Sequence, residues 1–173
     1  MRQLIFAALL FCSAAVGAAP VKWVLDGVTF ADGYSAEGSF TYDMATSEYS
    51  EISITTYGVD GWGTHYDQIH PQQPAVTDTL PVNDGGTFFF GLSFVDSLTD
   101  DGGTVDLLTL QGHPFQTVEG PCGINGCTGP DADFANNRYV TSGSVRAVPV
   151  PAAAWLFGSA LAGLGWIRRK QTV

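Results

Sequence analysis

The residues that could perform catalysis do not form a known catalytic motif. The sequence contains no nucleophile elbow, no zinc-binding histidine pair on a helical spacing, no phosphate-binding loop and no recognisable Ser, His and Asp set. His65, Asp67 and His70 lie together in a predicted loop. Among 17 acidic residues, some pair will always be as far apart as the two catalytic carboxylates of a glycosidase, so such a pair would be weak evidence of catalysis. We predict no catalytic residue.

Four carboxylates surround a glycine turn, at Asp96, Asp100, Asp101 and Asp106. Calcium is a hard cation that prefers several oxygen ligands, and this segment could supply them. The spacing does not fit the EF-hand loop, and aspartate and glycine are also common in solvated turns. Calcium is therefore a candidate ligand, although a simple hairpin tip is the favoured interpretation. No other cofactor is predicted.

Three aromatic residues, Tyr57, Trp62 and Tyr66, fall among glycines in the same predicted loop. Rings that share one exposed surface could stack against a sugar, and β-rich domains are common hosts of such sites. The alternative is that these rings cap the core or pack the loop, and this alternative is favoured.

Cys122 and Cys127 are the cysteines that remain once the predicted signal segment, which contains Cys12, is removed. An exported protein enters an oxidising compartment, so a disulfide that closes this short loop is the simplest prediction. The four-residue spacing differs from the two-residue spacing of thioredoxin-like redox sites. A metal site would need histidines beside the two thiolates, and nothing in the sequence places them there.

The elements that must position these residues are short β-strands. In the clearest one, Phe88 to Val95, bulky apolar residues alternate with a mixed set, and Val105 to Leu110 is predicted to pair back onto it. A second alternating strand covers Ile52 to Tyr57. Further candidates are Val21 to Leu25, Ser39 to Tyr42 and Arg138 to Val148. No amphipathic helix pattern precedes the C-terminal segment, so residues 19–147 are predicted to form an all-β domain, an antiparallel β-sandwich or jelly-roll.

The first 18 residues have the pattern of a signal peptide. Arg2 precedes an apolar run from Leu4 to Phe11, and small residues then lead to Ala18. We predict cleavage after Ala18, because cleavage one residue later would leave Pro20 directly after the cut bond. The protein is therefore predicted to be exported and to be a substrate of signal peptidase.

The C-terminal segment, residues 148–173, has the pattern of a membrane helix with a positively charged stop. Ala152 to Ile167 contains no charged residue, and Arg168, Arg169 and Lys170 follow it directly. A helix of this length rises about 24 Å, somewhat less than the hydrocarbon core of about 30 Å, so the predicted span is short. The basic cluster predicts a cytoplasmic end, which places the domain on the opposite side of the inner membrane.

The residues Val148, Pro149, Val150, Pro151 and Ala152, with the helix and basic stop after them, closely resemble the PEP-CTERM sorting signal in its VPxPA variant. In that family the region is recognised by exosortase, a cysteine protease of the inner membrane. The resemblance implies that an exosortase sorts and cleaves this chain. Val150 stands where the namesake tripeptide has an acidic residue, so the match is to the variant pattern.

The predicted domain is strongly acidic. All 17 acidic residues lie between Asp26 and Asp133, and the basic residues in the domain are Lys22, Arg138 and Arg146, which leaves a net charge of about −14. Most of these carboxylates must be solvated or screened by cations. Nucleic acid is excluded as a ligand, because binding phosphates needs a basic surface.

These features together predict a non-enzymatic exported protein of the cell surface or the extracellular, exopolysaccharide-containing matrix. It would first face the periplasm while anchored in the inner membrane, and would then be processed by the exosortase. The alternative is a carbohydrate-binding module of the matrix that uses the Trp62 loop, and a secreted hydrolase is less favoured. Residues 38–43 and 52–56 also loosely resemble the ectodomains of uncharacterised proteins with such tails, which brings no activity with it.

Overall fold

A computed structural model describes residues 19–59, 63–70, 75, 78–109, 116–122 and 137–148. Within these ranges the secondary structure consists of β-strands. They are β1 (Val21–Phe30), β2 (Ser35–Asp43), β3 (Glu48–Thr56), β4 (His65–Tyr66), β5 (Gln68–Ile69), β6 (Thr79–Asn83), β7 (Phe88–Ser93), β8 (Thr104–Asp106), β9 (Val118–Pro121) and β10 (Arg138–Val148). None of the described residues belongs to a helix long and apolar enough to cross a membrane. The predicted signal peptide and C-terminal helix lie outside these ranges.

The strands belong to one antiparallel sheet. Its hydrogen-bonded order is β4-β3-β2-β1-β10-β9-β7-β6-β5, and β8 also pairs with β10. The predicted all-β, antiparallel architecture is confirmed. The strands follow one continuous path, whereas a β-sandwich such as the one predicted has two separate sheets. The path is continuous because β10, with 11 residues, is long enough to pair with β1 on one side and with both β8 and β9 on the other.

The strands β8 and β9 lie end to end in one row between β7 and β10. Along β10, Tyr139 pairs with Val118 of β9 and Ser144 pairs with Asp106 of β8. The predicted hairpin between the Phe88 strand and the Val105 segment is found only at the end of β7, as a bridge between Phe94 and Leu107. The main neighbours of β7 are instead β6 and β9.

The short strands β4 and β5 bring the two ends of the sheet together. β4 pairs with β3, and β5 pairs with β6, although only Asp67 separates β4 from β5 in the sequence. One segment therefore bridges the first and last long strands of the path, and the sheet is nearly closed. Closure covers strand edges that would otherwise be open to pairing with other chains.

The apolar core fills the interior of this nearly closed sheet. Its largest fully buried side chains include Trp23, Phe40, Ile54 and Phe90. Aromatic rings from different strands pack together, for example those of Phe30 and Phe90, whose centroids are 5.7 Å apart. Each such side chain stabilises the fold by roughly 1.5–3 kcal/mol relative to its exposed state.

The first and last strands of the domain are neighbours. β1 and β10 are antiparallel, with Lys22 opposite Val148. The amide of Ala147 also donates to the Gly103 carbonyl at 2.8 Å. Both ends of the domain therefore leave the sheet at the same place, and Val148, the first residue of the predicted sorting motif, is still part of the sheet.

Candidate functional site

A carboxylate lies in the interior of the sheet. Glu119 of β9 is 0% exposed. It accepts hydrogen bonds from the Thr56 and Tyr66 hydroxyls, both at 2.6 Å, and forms an ion pair with Arg138. The sheet register places Arg138 directly opposite Glu119. These partners allow the carboxylate to be buried, since an unpaired buried charge costs several kcal/mol.

Arg138 extends this group to the loops at the same end of the sheet. Its side chain is 7% exposed. One guanidinium nitrogen donates to the Asp32 carboxylate at 3.0 Å and to the Tyr57 carbonyl at 2.6 Å. The guanidinium carbon also lies 4.0 Å from the centroid of the Phe30 ring, a cation–π contact. We call Thr56, Tyr66, Glu119 and Arg138 the buried polar cluster. Asp32, whose side chain is 38% exposed, contacts this cluster from the surface.

The buried polar cluster joins parts of the chain that are distant in sequence. It connects β3, β4, β9 and β10 with the turn between β1 and β2. Burial and the nearby Glu119 carboxylate raise the pKa of Tyr66 well above its usual range, so its hydroxyl stays protonated as a donor. Glu119 and Tyr66 are both 0% exposed, which leaves them inaccessible to a substrate from solvent. We interpret the cluster as the element that holds the sheet closed.

A second polar group lies on the outer face of the sheet. Glu37 of β2 is opposite Thr55 of β3, and Thr55 is opposite His65 of β4. The Thr55 hydroxyl oxygen and His65 Nδ1 are 3.1 Å apart, and the Tyr57 hydroxyl donates to the Glu37 carboxylate. We call these four residues the outer polar row.

The outer polar row is accessible to solvent. Glu37 and His65 are exposed, and the Tyr57 side chain is 42% exposed. The hydrogen bond to Glu37 is the main cause that raises the pKa of Tyr57, with smaller contributions from desolvation and the Glu37 charge. A hydroxyl beside an imidazole is also the arrangement of an activated nucleophile, and here both groups lie on an open face of the sheet.

The predicted aromatic site is divided between the two faces of the sheet. Tyr57 is exposed, whereas Tyr66 is 0% exposed and its hydroxyl contacts Glu119. Tyr57 and Tyr66 therefore cannot share one ligand-binding surface, because the ring of Tyr66 belongs to the core. Trp62 lies outside the described residues.

The predicted calcium segment shows no assembled set of ligands. Asp96, Asp100, Asp101 and Asp106 are all exposed. Among the residues that the structure describes, no group of three or more His, Cys, Asp or Glu side chains could hold a metal ion. The turn itself is present, since Gly102 and Gly103 have φ angles of 75° and 104°. Calcium binding at this turn stays a prediction.

Other predicted site residues lie outside the described ranges. They are Cys127, the motif residues Pro149, Val150, Pro151 and Ala152, and the basic residues Arg168, Arg169 and Lys170. The Cys122–Cys127 disulfide and the sorting signal therefore stay predictions.

Sequence reasoning missed Glu119, Arg138 and Glu37. One signal was available, because Arg138 is one of only three basic residues in the acidic domain and begins a strand. A scarce cation among many carboxylates has a strong tendency to pair with one of them. The sequence does not indicate which one.

No family model, no curated protein and no solved structure matches this chain. The function must therefore be argued from the residues and contacts of the chain itself.

Proposed function

We propose that this protein is a non-enzymatic component of the cell surface or extracellular matrix, exported by its N-terminal segment and sorted by an exosortase. The observation that carries the proposal is the segment from Val148 to Lys170, where a Pro-containing motif, an apolar stretch and three basic residues follow one another as in a PEP-CTERM signal.

The two ends of the folded domain support this proposal. The domain begins at β1, just after the predicted signal cleavage site, and ends at β10, where the predicted sorting motif begins. The sequence places Pro149 and Pro151 directly after β10, and prolines at these positions would favour an extended chain there. A membrane protease would meet an extended strand next to a folded domain, with almost no linker between them.

The polar chemistry of the described residues supports a non-enzymatic role. Glu119 and Tyr66, which are both 0% exposed, contact each other and other parts of the fold. The domain carries 17 acidic residues against three basic ones. We propose that this acidic all-β domain acts through its surface in a matrix rich in cations and polysaccharide.

The test is to compare the mass and location of the protein in cells with and without the exosortase gene. We expect a shorter protein, lacking the basic tail, at the surface or in the medium only when the gene is present. Replacing Pro149 and Pro151 together by alanine should reduce processing, whereas Pro121→Ala, near the other end of β10, should not. An uncut tail in both strains would refute the proposal.

A further inference from the structure

We propose that the outer polar row, Glu37, Thr55, Tyr57 and His65, binds a polysaccharide that carries free amino groups. This site shares Tyr57 with the predicted aromatic site around Trp62, but its other members, Glu37, Thr55 and His65, lie side by side on β2, β3 and β4. It does not depend on the sorting proposal, because it concerns the folded domain alone.

The row offers the groups that bind sugars. The exposed ring of Tyr57 can stack against the apolar C–H face of a sugar ring. The Glu37 carboxylate, the Thr55 hydroxyl and the His65 imidazole supply hydrogen-bonding groups for sugar hydroxyls. Glu37, Thr55 and His65 lie on three adjacent strands, so the row spans about 10 Å, roughly the length of a disaccharide.

The position of Tyr57 is fixed before any ligand binds. Its amide donates to the Ser35 carbonyl at 2.9 Å, and its carbonyl accepts from Arg138 at 2.6 Å. Its hydroxyl donates to Glu37. The ring is therefore held at its backbone and at its tip, and a preordered side chain loses less conformational entropy on binding. This threefold attachment distinguishes Tyr57 from an isolated exposed aromatic residue.

The open face favours a polymer as ligand. A small molecule usually needs a pocket that buries most of its surface, whereas an open row of polar groups provides only a limited contact area for each sugar. A repeating chain can compensate by engaging several sites on neighbouring protein molecules. An extended polysaccharide fits these requirements.

The charge of the domain selects among polysaccharides. The domain has 17 acidic and three basic residues, and the row itself contains the Glu37 carboxylate. An acidic polymer would be repelled, whereas a protonated amino group would be attracted to the domain and could bind Glu37 directly. We therefore assign the row to amino sugars with free amines.

The experiment is calorimetric titration of the purified full-length protein, in detergent, with three probes of equal length. They are oligomers of glucosamine, oligomers of N-acetylglucosamine and oligomers of a uronic acid. We expect binding that is tightest for glucosamine oligomers and absent for the uronic acid oligomers. Equal affinity for the acetylated and free-amine oligomers, or no binding of either, would overturn the proposal.

Variants locate the binding site. Tyr57→Ala and Glu37→Gln should each weaken glucosamine-oligomer binding at least tenfold. Asp106→Asn is the matched control, since it removes one negative charge at an exposed position on β8, and it should change affinity less than twofold. Equal losses for Glu37→Gln and Asp106→Asn would show diffuse charge attraction and overturn the assignment. A thermal melt of each variant confirms that the fold is retained.

Discussion

Replacing Arg138 by methionine tests the buried polar cluster most directly. Methionine keeps much of the apolar volume over the Phe30 ring but removes the cation. Glu119 would then remain buried with the Thr56 and Tyr66 hydroxyls as its donors among the described residues. Asp32 and the Tyr57 carbonyl would also lose the donor that they share.

The expected cost follows from the burial of the pair. Removing one partner of a buried ion pair costs about 3–5 kcal/mol, because the other charge is left without compensation. The lost cation–π contact costs about 2 kcal/mol at this buried site, which the packing of methionine partly offsets. We therefore expect a loss of about 4 kcal/mol in the free energy of unfolding. Domains are commonly stable by about 5–15 kcal/mol, so the variant should still fold but should melt roughly 15 °C lower.

The assay is equilibrium unfolding in urea, followed by tryptophan fluorescence. Trp23 is fully buried in the core, so its emission should respond to unfolding of the whole sheet. The double variant Glu119→Gln with Arg138→Met removes both charges. It should be more stable than Arg138→Met alone by about 1–3 kcal/mol, because the uncompensated carboxylate is gone.

Two results would refute this reasoning. One is a cost below about 1 kcal/mol for Arg138→Met, which would be typical of a solvated surface pair. The other is a double variant whose cost equals the sum of the two single costs, which would show that the two charges are not coupled.

Three further predictions concern other parts of the domain. Gly38→Ala should destabilise the fold by about 2–4 kcal/mol more than Gly86→Ala in a urea titration. Both glycines have nearly the same φ, 137° and 138°. A Cβ on Gly38 would lie 2.2 Å from the Ser53 carbonyl oxygen, whereas a Cβ on Gly86 would meet nothing within 4 Å. Equal losses of stability for the two variants would contradict this prediction. Burial raises the pKa of both Tyr49 and Tyr66 above the usual value of 10, so their contribution to stability is complete below pH 10 and is lost as the pH rises further. For each of these two tyrosines, the free energy of unfolding should fall by up to about 1.4 kcal/mol per pH unit above 10. A phenolate absorbance titration that shows all six tyrosines ionising near pH 10 in the folded protein would disprove this prediction. Calcium and magnesium at equal millimolar concentrations should raise the melting temperature equally through screening of the acidic surface, and a larger shift with calcium would instead indicate a specific site.

The strands with clear alternation could be predicted from the sequence. Phe88, Phe90 and Leu92 alternate with a mixed set, Phe89, Gly91 and Ser93, and this segment corresponds to β7 in the interior of the path. Alternation shows which face of a strand is buried, but it does not show which strand lies beside it or in what register. The sequence therefore indicated an antiparallel all-β domain without indicating that β10 would lie between β1 and β9.

The site depended on these long-range pairings, so most of it could not be predicted. Glu119 meets Arg138 only because of the register between β9 and β10. Tyr66 lies in a strand of two residues, which is too short to show any alternation, and the sequence therefore placed it in a loop. The register between β2 and β3 also shifts between Ser39 and Thr41, opposite Glu51, whose φ of 49° is unusual for a glutamate, and nothing in the surrounding sequence indicates this bulge.

The pairing of the first and last strands has a mechanical consequence. A pull on the C-terminal end of β10, as from a tail held in a membrane, acts along the strand and against its neighbour β1, with Lys22 opposite Val148 at the loaded end. All the residue pairs between β1 and β10, from Val148 to Val140, would oppose the sliding of β10 along β1. A force parallel to the strands loads their backbone hydrogen bonds at the same time. From β1 the force would pass across the sheet to its neighbours β2 and β3, which carry Glu37 and Thr55. A domain attached in this way would transmit tension between its anchor and a bound polymer through its most extensively paired strands.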